Sequence, residues 1–99
     1  MMNLPSPERL KFLAAKYLWW IPPAQAVRMP ERIVAQVMNL GDYDDVQTLT
    51  EELGEDYLRH VLQHADAGVF SRKSWDFWHY RLGLAMPGEV PDLPQRRIA

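Results

Sequence analysis

Apolar residues at Leu10, Leu13, Ala14, Tyr17, Leu18 and Ile21 recur at spacings of three and four, which lines them up along one side of a helix. Ser6, followed by Pro7 and Glu8, gives that helix its start. The serine oxygen can accept from an otherwise unpaired N–H, proline fits the first helical position, and glutamate complements the positive end of the dipole. Pro22 and Pro23 stop the run after Ile21, and a short second segment is predicted over about 23–28. Pro30 opens "PERIVAQVMNL", a third helix that turns Ile33, Val34, Val37 and Met38 inward and places Gly41 where a left-handed C-terminal residue is expected.

The run "DYDDVQTLTEELG" has an acidic first turn, apolar positions at Val46, Leu49 and Leu53, and Gly54 as a stop, all of which predict a fourth helix from Asp42. A fifth, over about 55–64, buries Leu58, Val61, Leu62 and Ala65. "ADAGVF" reads as a turn around Gly68. Ser71 or Ser74 then caps a sixth helix, "SRKSWDFWHYRLGL", which Gly83 ends. Beyond it, "LAMPGEVPDLPQRRIA" carries Pro87, Pro91 and Pro94 and is predicted to run extended. No stretch alternates with the period of a strand. The expectation is an all-α protein: a compact bundle of five to six short helices over residues 1–86, with an extended proline-rich C-terminal tail over 87–99.

A chain of 99 residues, 47% hydrophobic and 24% charged, has the size and composition of one folded domain. It has no cysteine, so thiolate chemistry and disulfides are excluded. The longest apolar run, "YLWWI", falls far short of the ~20 residues a membrane span requires, and no signal-peptide pattern opens the sequence, so the expectation is a cytoplasmic protein. The net charge of −2 conceals a division: residues 1–41 carry five basic and two acidic groups, 42–66 one basic and eight acidic, and 67–99 five basic and three acidic. Such a block can hold the protein's own helices together, face a basic partner, or lie solvated on the surface.

Candidate chemistry is sparse. His60 and His64 share one side of a helix at a spacing that zinc sites use, but "HVLQH" lacks the glutamate of a metalloprotease motif and brings no third ligand, so no metal site and no cofactor are assigned. His79 lies among aromatics as a packed side chain. Ser6, Ser71 and Ser74 occupy cap positions, and the five glycines form neither a P-loop nor a dinucleotide fingerprint. No catalytic residues are assigned. Two helices broken at Gly54 have the spacing of a helix-turn-helix, but Glu55 and Asp56 stand where a recognition helix meets phosphates, so direct nucleic-acid binding is not expected.

The aromatic density of the sixth helix is the most informative feature. Trp75, Trp78 and Leu82 share one face, with Phe77, Tyr80 and Arg81 on others. The helix can be central, covered by the first helix with Trp19 and Trp20 on one side and by the tail on the other; or part of its aromatic surface can wait for a partner, since Trp, Tyr and Arg dominate interface hot spots. Arg72 and Lys73 sit at its positive end and would be stabilised by an anionic group. Arg96 and Arg97 end the tail with paired cations that suit an acidic cleft or the protein's own acidic block.

"RMPERIVAQVMNLG", "GVFSRKSWDFWHYRLGL" and "LPQRR" together resemble a family of small bacterial proteins encoded beside nucleotidyltransferase toxins of the abortive-infection type, over Tyr17 to Arg97. The resemblance implies an antitoxin, a non-enzymatic protein that binds and neutralises a nucleotidyltransferase toxin. With the hot-spot argument it marks Arg72, Lys73, Trp75, Trp78, Arg81, Arg96 and Arg97 as candidate partner-binding residues. A DNA-binding transcriptional regulator and a small scaffold subunit of an unrelated complex are the alternative classes.

Overall fold

Ser6 caps the first helix as its sequence requires: its side chain accepts from the backbone N–H of Arg9 at 3.2 Å, and α1 (Pro7–Tyr17) follows. A computed structural model describes residues 6–95 of the chain. Among these residues it contains five further helices, α2 (Pro23–Ala26), α3 (Pro30–Leu40), α4 (Tyr43–Leu53), α5 (Glu55–Gln63) and α6 (Arg72–Arg81), and no strand, so the architecture is all-α. The Cα radius of gyration, 13.5 Å, is close to the about 13 Å expected of a compact domain this long. None of the described helices is long and apolar enough to cross a membrane.

The central element is α3, which packs against α1, α4, α5 and α6. Its predicted inward residues Ile33, Val34, Val37 and Met38 are all buried, together with Leu10, Leu13 and Ala14 of α1 and Leu58, Val61 and Leu62 of α5. Tyr57 is buried too, a position the apolar pattern does not mark.

Three expectations are corrected. The first helix ends at Tyr17, four residues before Ile21, because a helix carried through Pro22 would drive the proline ring into the carbonyl four residues back; the chain turns instead, with Ile21 N–H donating to the Leu18 carbonyl at 2.9 Å. That turn returns Leu18 to the core and throws Trp19 and Trp20 outward, 75% and 51% exposed, so the first helix and its tryptophans do not cover α6. Gly41 is not left-handed but extended (φ −63°, ψ 148°). A side chain there would collide with the Val37 carbonyl and press on Val46, so glycine is needed for close approach.

The ends of α3 and α6 satisfy one another. The last carbonyls of any α-helix lack intrahelical donors. In α3 the Met38 carbonyl accepts from Trp78 Nε1 at 2.8 Å and the Asn39 carbonyl from the Ser74 hydroxyl at 3.1 Å. In return, the Asn39 side-chain oxygen accepts from the Ser71 N–H at 3.0 Å, just ahead of α6, while Ser71 Oγ caps the N–H of Ser74 at 3.2 Å. The far end of α6 closes on Gly83, φ 69°, where Leu84 N–H reaches the His79 carbonyl and Gly83 N–H the Tyr80 carbonyl, the paired bonds of a Schellman ending. Arg59 Nε of α5 donates to the remaining Leu82 carbonyl at 2.9 Å.

A second tie joins the end of α1 to the start of α4. Asp42 Oδ1 caps the Asp45 N–H at 2.9 Å, Lys16 Nζ reaches Asp42 and Asp45 at 3.0 and 2.7 Å, and the Tyr17 hydroxyl donates to Asp45 at 2.6 Å. The cap bond from Asp45 N–H, then Lys16, holds Asp42 below the usual carboxylate range; Lys16, then Tyr17, does so for Asp45. Hydrogen bonds to Asp45 and Asp42 push the Lys16 ammonium well above the ordinary lysine value, and burial pushes the Tyr17 hydroxyl up.

Replacing Trp78 with alanine should lower folding stability by about 3–5 kcal/mol, read from urea denaturation. Trp78→Phe should cost about 1–3 kcal/mol, since the ring is kept but the buried Met38 carbonyl loses its donor. An alanine variant as stable as the parent would refute this account of the α3–α6 junction. The Lys16 cluster predicts an acid limb. Carboxylates whose folded pKa is depressed contribute fully above their unfolded value of about 3.9 and lose that contribution as pH falls through the folded pKa, so Lys16→Met should lower the melting temperature at neutral pH and the gap should close below pH about 3.9. A gap that persists undiminished in acid would show that Lys16 acts by packing alone.

Candidate functional site

The apolar stripe of α4 runs Val46, Leu49, Leu53, but only the last two are buried. Val46 is half-buried: it packs against the core beside Gly41 and also borders a groove. This groove, about 540 Å³, lies between α4 and α6 with the end of α3 as its floor. Tyr43, Val46, Gln47 and Thr50 form one bank; Lys73, Ser74, Phe77 and Arg81 form the other; Met38, Asn39, Gly41 and Trp78 lie between.

Local chemistry explains this shape. Asp42 caps α4 directly after the tight approach at Gly41, so α4 leaves from the end of α3 that α6 also caps. Two helices fixed to one end of a third hold the cleft between them open. Trp78 is 3% exposed and pinned by its bond to Met38, and Phe77 meets it edge to face with ring centroids 5.3 Å apart. Phe77 is 55% exposed and Tyr43 77%, so the groove shows aromatic surface from both banks.

Its electrostatics are one-sided. Lys73 and Arg81 line the groove, and no carboxylate does among the described residues. Arg81 Nη1 is tied to Glu55 Oε2 at 2.7 Å, whereas Lys73 makes no ion pair among the described residues.

Of the candidate partner-binding residues, the structure thus brings Lys73, Trp78 and Arg81 together. Trp78 belongs to the core and forms the floor, with no free face for an anchor. Arg72 turns back along α6 to pair with Asp76 at 3.2 Å. Trp75 is buried on the side of the tail, its Nε1 donating to the Pro91 carbonyl at 2.7 Å, and so is not available as a surface anchor. Arg96 and Arg97 lie outside the described residues. Tyr43, Val46 and Phe77 join Lys73, Trp78 and Arg81 in the groove although the sequence pattern does not single them out as site residues; an aromatic at the first position of an acidic helix is the signal that marks Tyr43.

The histidines are engaged within the fold. His60 Nε2 lies 3.2 Å from Glu31 Oε1, its ring stacks on His64 at 4.3 Å, and His64 Nδ1 bonds the His60 carbonyl at 2.8 Å. Among the described residues no three His, Cys, Asp or Glu side chains are placed to hold a metal. His79 is buried, its Nδ1 donating to the Trp75 carbonyl at 2.7 Å.

The described part of the tail folds back: Val90 and Leu93 pack on the core, and Pro91 receives Trp75. Truncation after Met86 should therefore lower stability by about 2–4 kcal/mol through lost apolar burial, measured by thermal and urea denaturation. An unchanged midpoint would free the tail from any structural role and leave it to act as an arm.

Comparison with known protein families, with curated proteins and with solved structures finds no match for this chain.

Proposed function

We propose that the chain is a non-enzymatic protein-binding module, an antitoxin that captures and neutralises a nucleotidyltransferase toxin. The observation that carries the binding half of this reading is the α4–α6 groove, an apolar cleft with exposed Tyr43 and Phe77 on opposite banks and cations on its rim. Exposed aromatics around a rigid, desolvated floor are the arrangement from which interface hot spots are built. The toxin half rests on the family resemblance of the sequence.

The charge placement favours a protein over DNA. The helix-turn-helix-like pair α4–α5 would present the start of α5 to phosphates, and there Glu55 and Asp56 hold Arg59 at 3.3 and 2.8 Å. The cation nearest that end is already engaged, and the two carboxylates would repel the backbone of a duplex.

Purification of the tagged chain from its native host should recover a nucleotidyltransferase in stoichiometric amount, and co-expression should restore growth to cells producing that enzyme. The double variant Tyr43→Ala, Phe77→Ala should keep its melting temperature within a few degrees and weaken the complex by at least about 30-fold, as loss of a hot spot of about 2 kcal/mol requires. A companion of another class, or full neutralisation by the double variant, would overturn the reading.

A further inference from the structure

We infer that the α4–α6 groove is a helix-binding groove, and that its occupant is an amphipathic helix of a partner protein carrying carboxylates beside its apolar face. The inference rests on the protein-binding reading above and is independent of the partner being a toxin.

The backbone of the occupant decides its class. An extended peptide brings unpaired N–H and C=O groups, which must be bonded when they leave water. A sheet edge could pair them, but the described residues contain no strand. An aromatic groove for a polyproline helix would have to replace the water on that helix's carbonyls, since such a helix makes no internal hydrogen bonds. The indole N–H on the floor here is not free for that, because Trp78 Nε1 is committed to the Met38 carbonyl at 2.8 Å, and the donors that remain are those of Asn39, Tyr43, Gln47, Lys73 and Arg81. The Ser74 hydroxyl is likewise committed to the Asn39 carbonyl, and the Thr50 hydroxyl to the Val46 carbonyl at 2.8 Å. An α-helix satisfies its own backbone and needs from a groove only apolar contact for side chains at i, i+3, i+4 and i+7. Tyr43, Val46 and Phe77 offer that contact above a floor of buried Trp78 and Met38.

Charge selects the sign of the occupant. The groove is lined by Lys73 and Arg81 with no carboxylate among the described lining residues, and Lys73 lacks an ion-pair partner among them. Carboxylates flanking the partner's apolar face would meet Lys73 at the rim, with Arg81 already tied to Glu55 beside it, and complementarity there sets specificity and on-rate. The same cations disfavour the chain's own basic segment with Arg96 and Arg97 as an occupant.

The test uses the full chain, isotope-labelled, and two synthetic helical peptides of about 18 residues, five turns. Both carry Leu and Ile at i, i+3, i+4 and i+7; one has Glu and the other Lys at the flanking positions. The Glu peptide should shift the Trp78 indole resonance and those of Tyr43 and Phe77, bind at least about 10-fold more tightly than the Lys peptide, and weaken as salt rises. Lys73→Glu should reverse the preference; Lys73 is exposed at the start of α6, where an acidic residue suits the dipole, so the variant keeps its fold. No shift with either peptide up to millimolar concentration, equal binding of both, tighter binding of a proline-rich peptide, or occupation of the groove by a second copy of the chain would each overturn the inference. The toxin reading fails separately, through the identity of the companion protein.

Discussion

The ends of α-helices are the expensive part of a small all-α protein, because each leaves up to four backbone groups unpaired at either terminus. In this chain the end of α3 and the beginning of α6 solve that problem for each other. Trp78 and Ser74 supply donors to the Met38 and Asn39 carbonyls, and Asn39 supplies an acceptor to the start of α6. The bonds are directional and lie beside the core, so they fix α6 against α3 in rotation and register as well as in distance. The hydrophobic effect itself contributes less to that alignment, since it is non-directional.

The groove is a consequence of that junction. One residue beyond α3, Gly41 brings the chain so close that no side chain fits, and Asp42 starts α4 at once. α4 and α6 are therefore both anchored at the same end of α3. Lys16 and Tyr17 then hold the start of α4 toward α1, and Val46, packed against the core beside Gly41, remains half-exposed on the groove. The binding surface is in this sense made by the same contacts that make the fold, and a variant that loosens Trp78 loosens the floor of the groove with it.

How much of this can be read from the sequence follows from the range of each interaction. Caps are local: Ser6, Asp42 and Ser71 each accept from an N–H three residues on, and Gly54 and Gly83 take positive φ at helix ends, so the residue types alone locate most boundaries. The exception at Ile21 arises where a stripe of the right period continues past the point at which a proline forbids the helix. Partners are not local. Trp78 and Met38 are 40 residues apart, and nothing in the spacing of Trp75 and Trp78 shows that one indole turns to α3 and the other to the tail. The groove was illegible for a further reason: a hydrophobic stripe reports which side of a helix is apolar but not how completely each position is covered, so half-buried Val46 reads the same as buried Leu49.

The acidic block of residues 42–66 resolves in the same terms. Asp42 and Asp45 take Lys16, Glu52 lies 3.7 Å from Arg9, and Glu55 and Asp56 hold Arg59, with Glu55 reaching Arg81 as well. The block thus meets Arg9 and Lys16 of α1, its own Arg59 of α5, and Arg81 of α6, so three cations of the basic flanks are engaged by it. Exposed pairs of this kind add little stability individually. Their larger effect is on what stays uncompensated: with Lys16, Arg59 and Arg72 matched, the charge at Lys73 stands out in the α4–α6 groove, and the positive sign of that surface is set as much by the pairs made elsewhere as by the residues that line it.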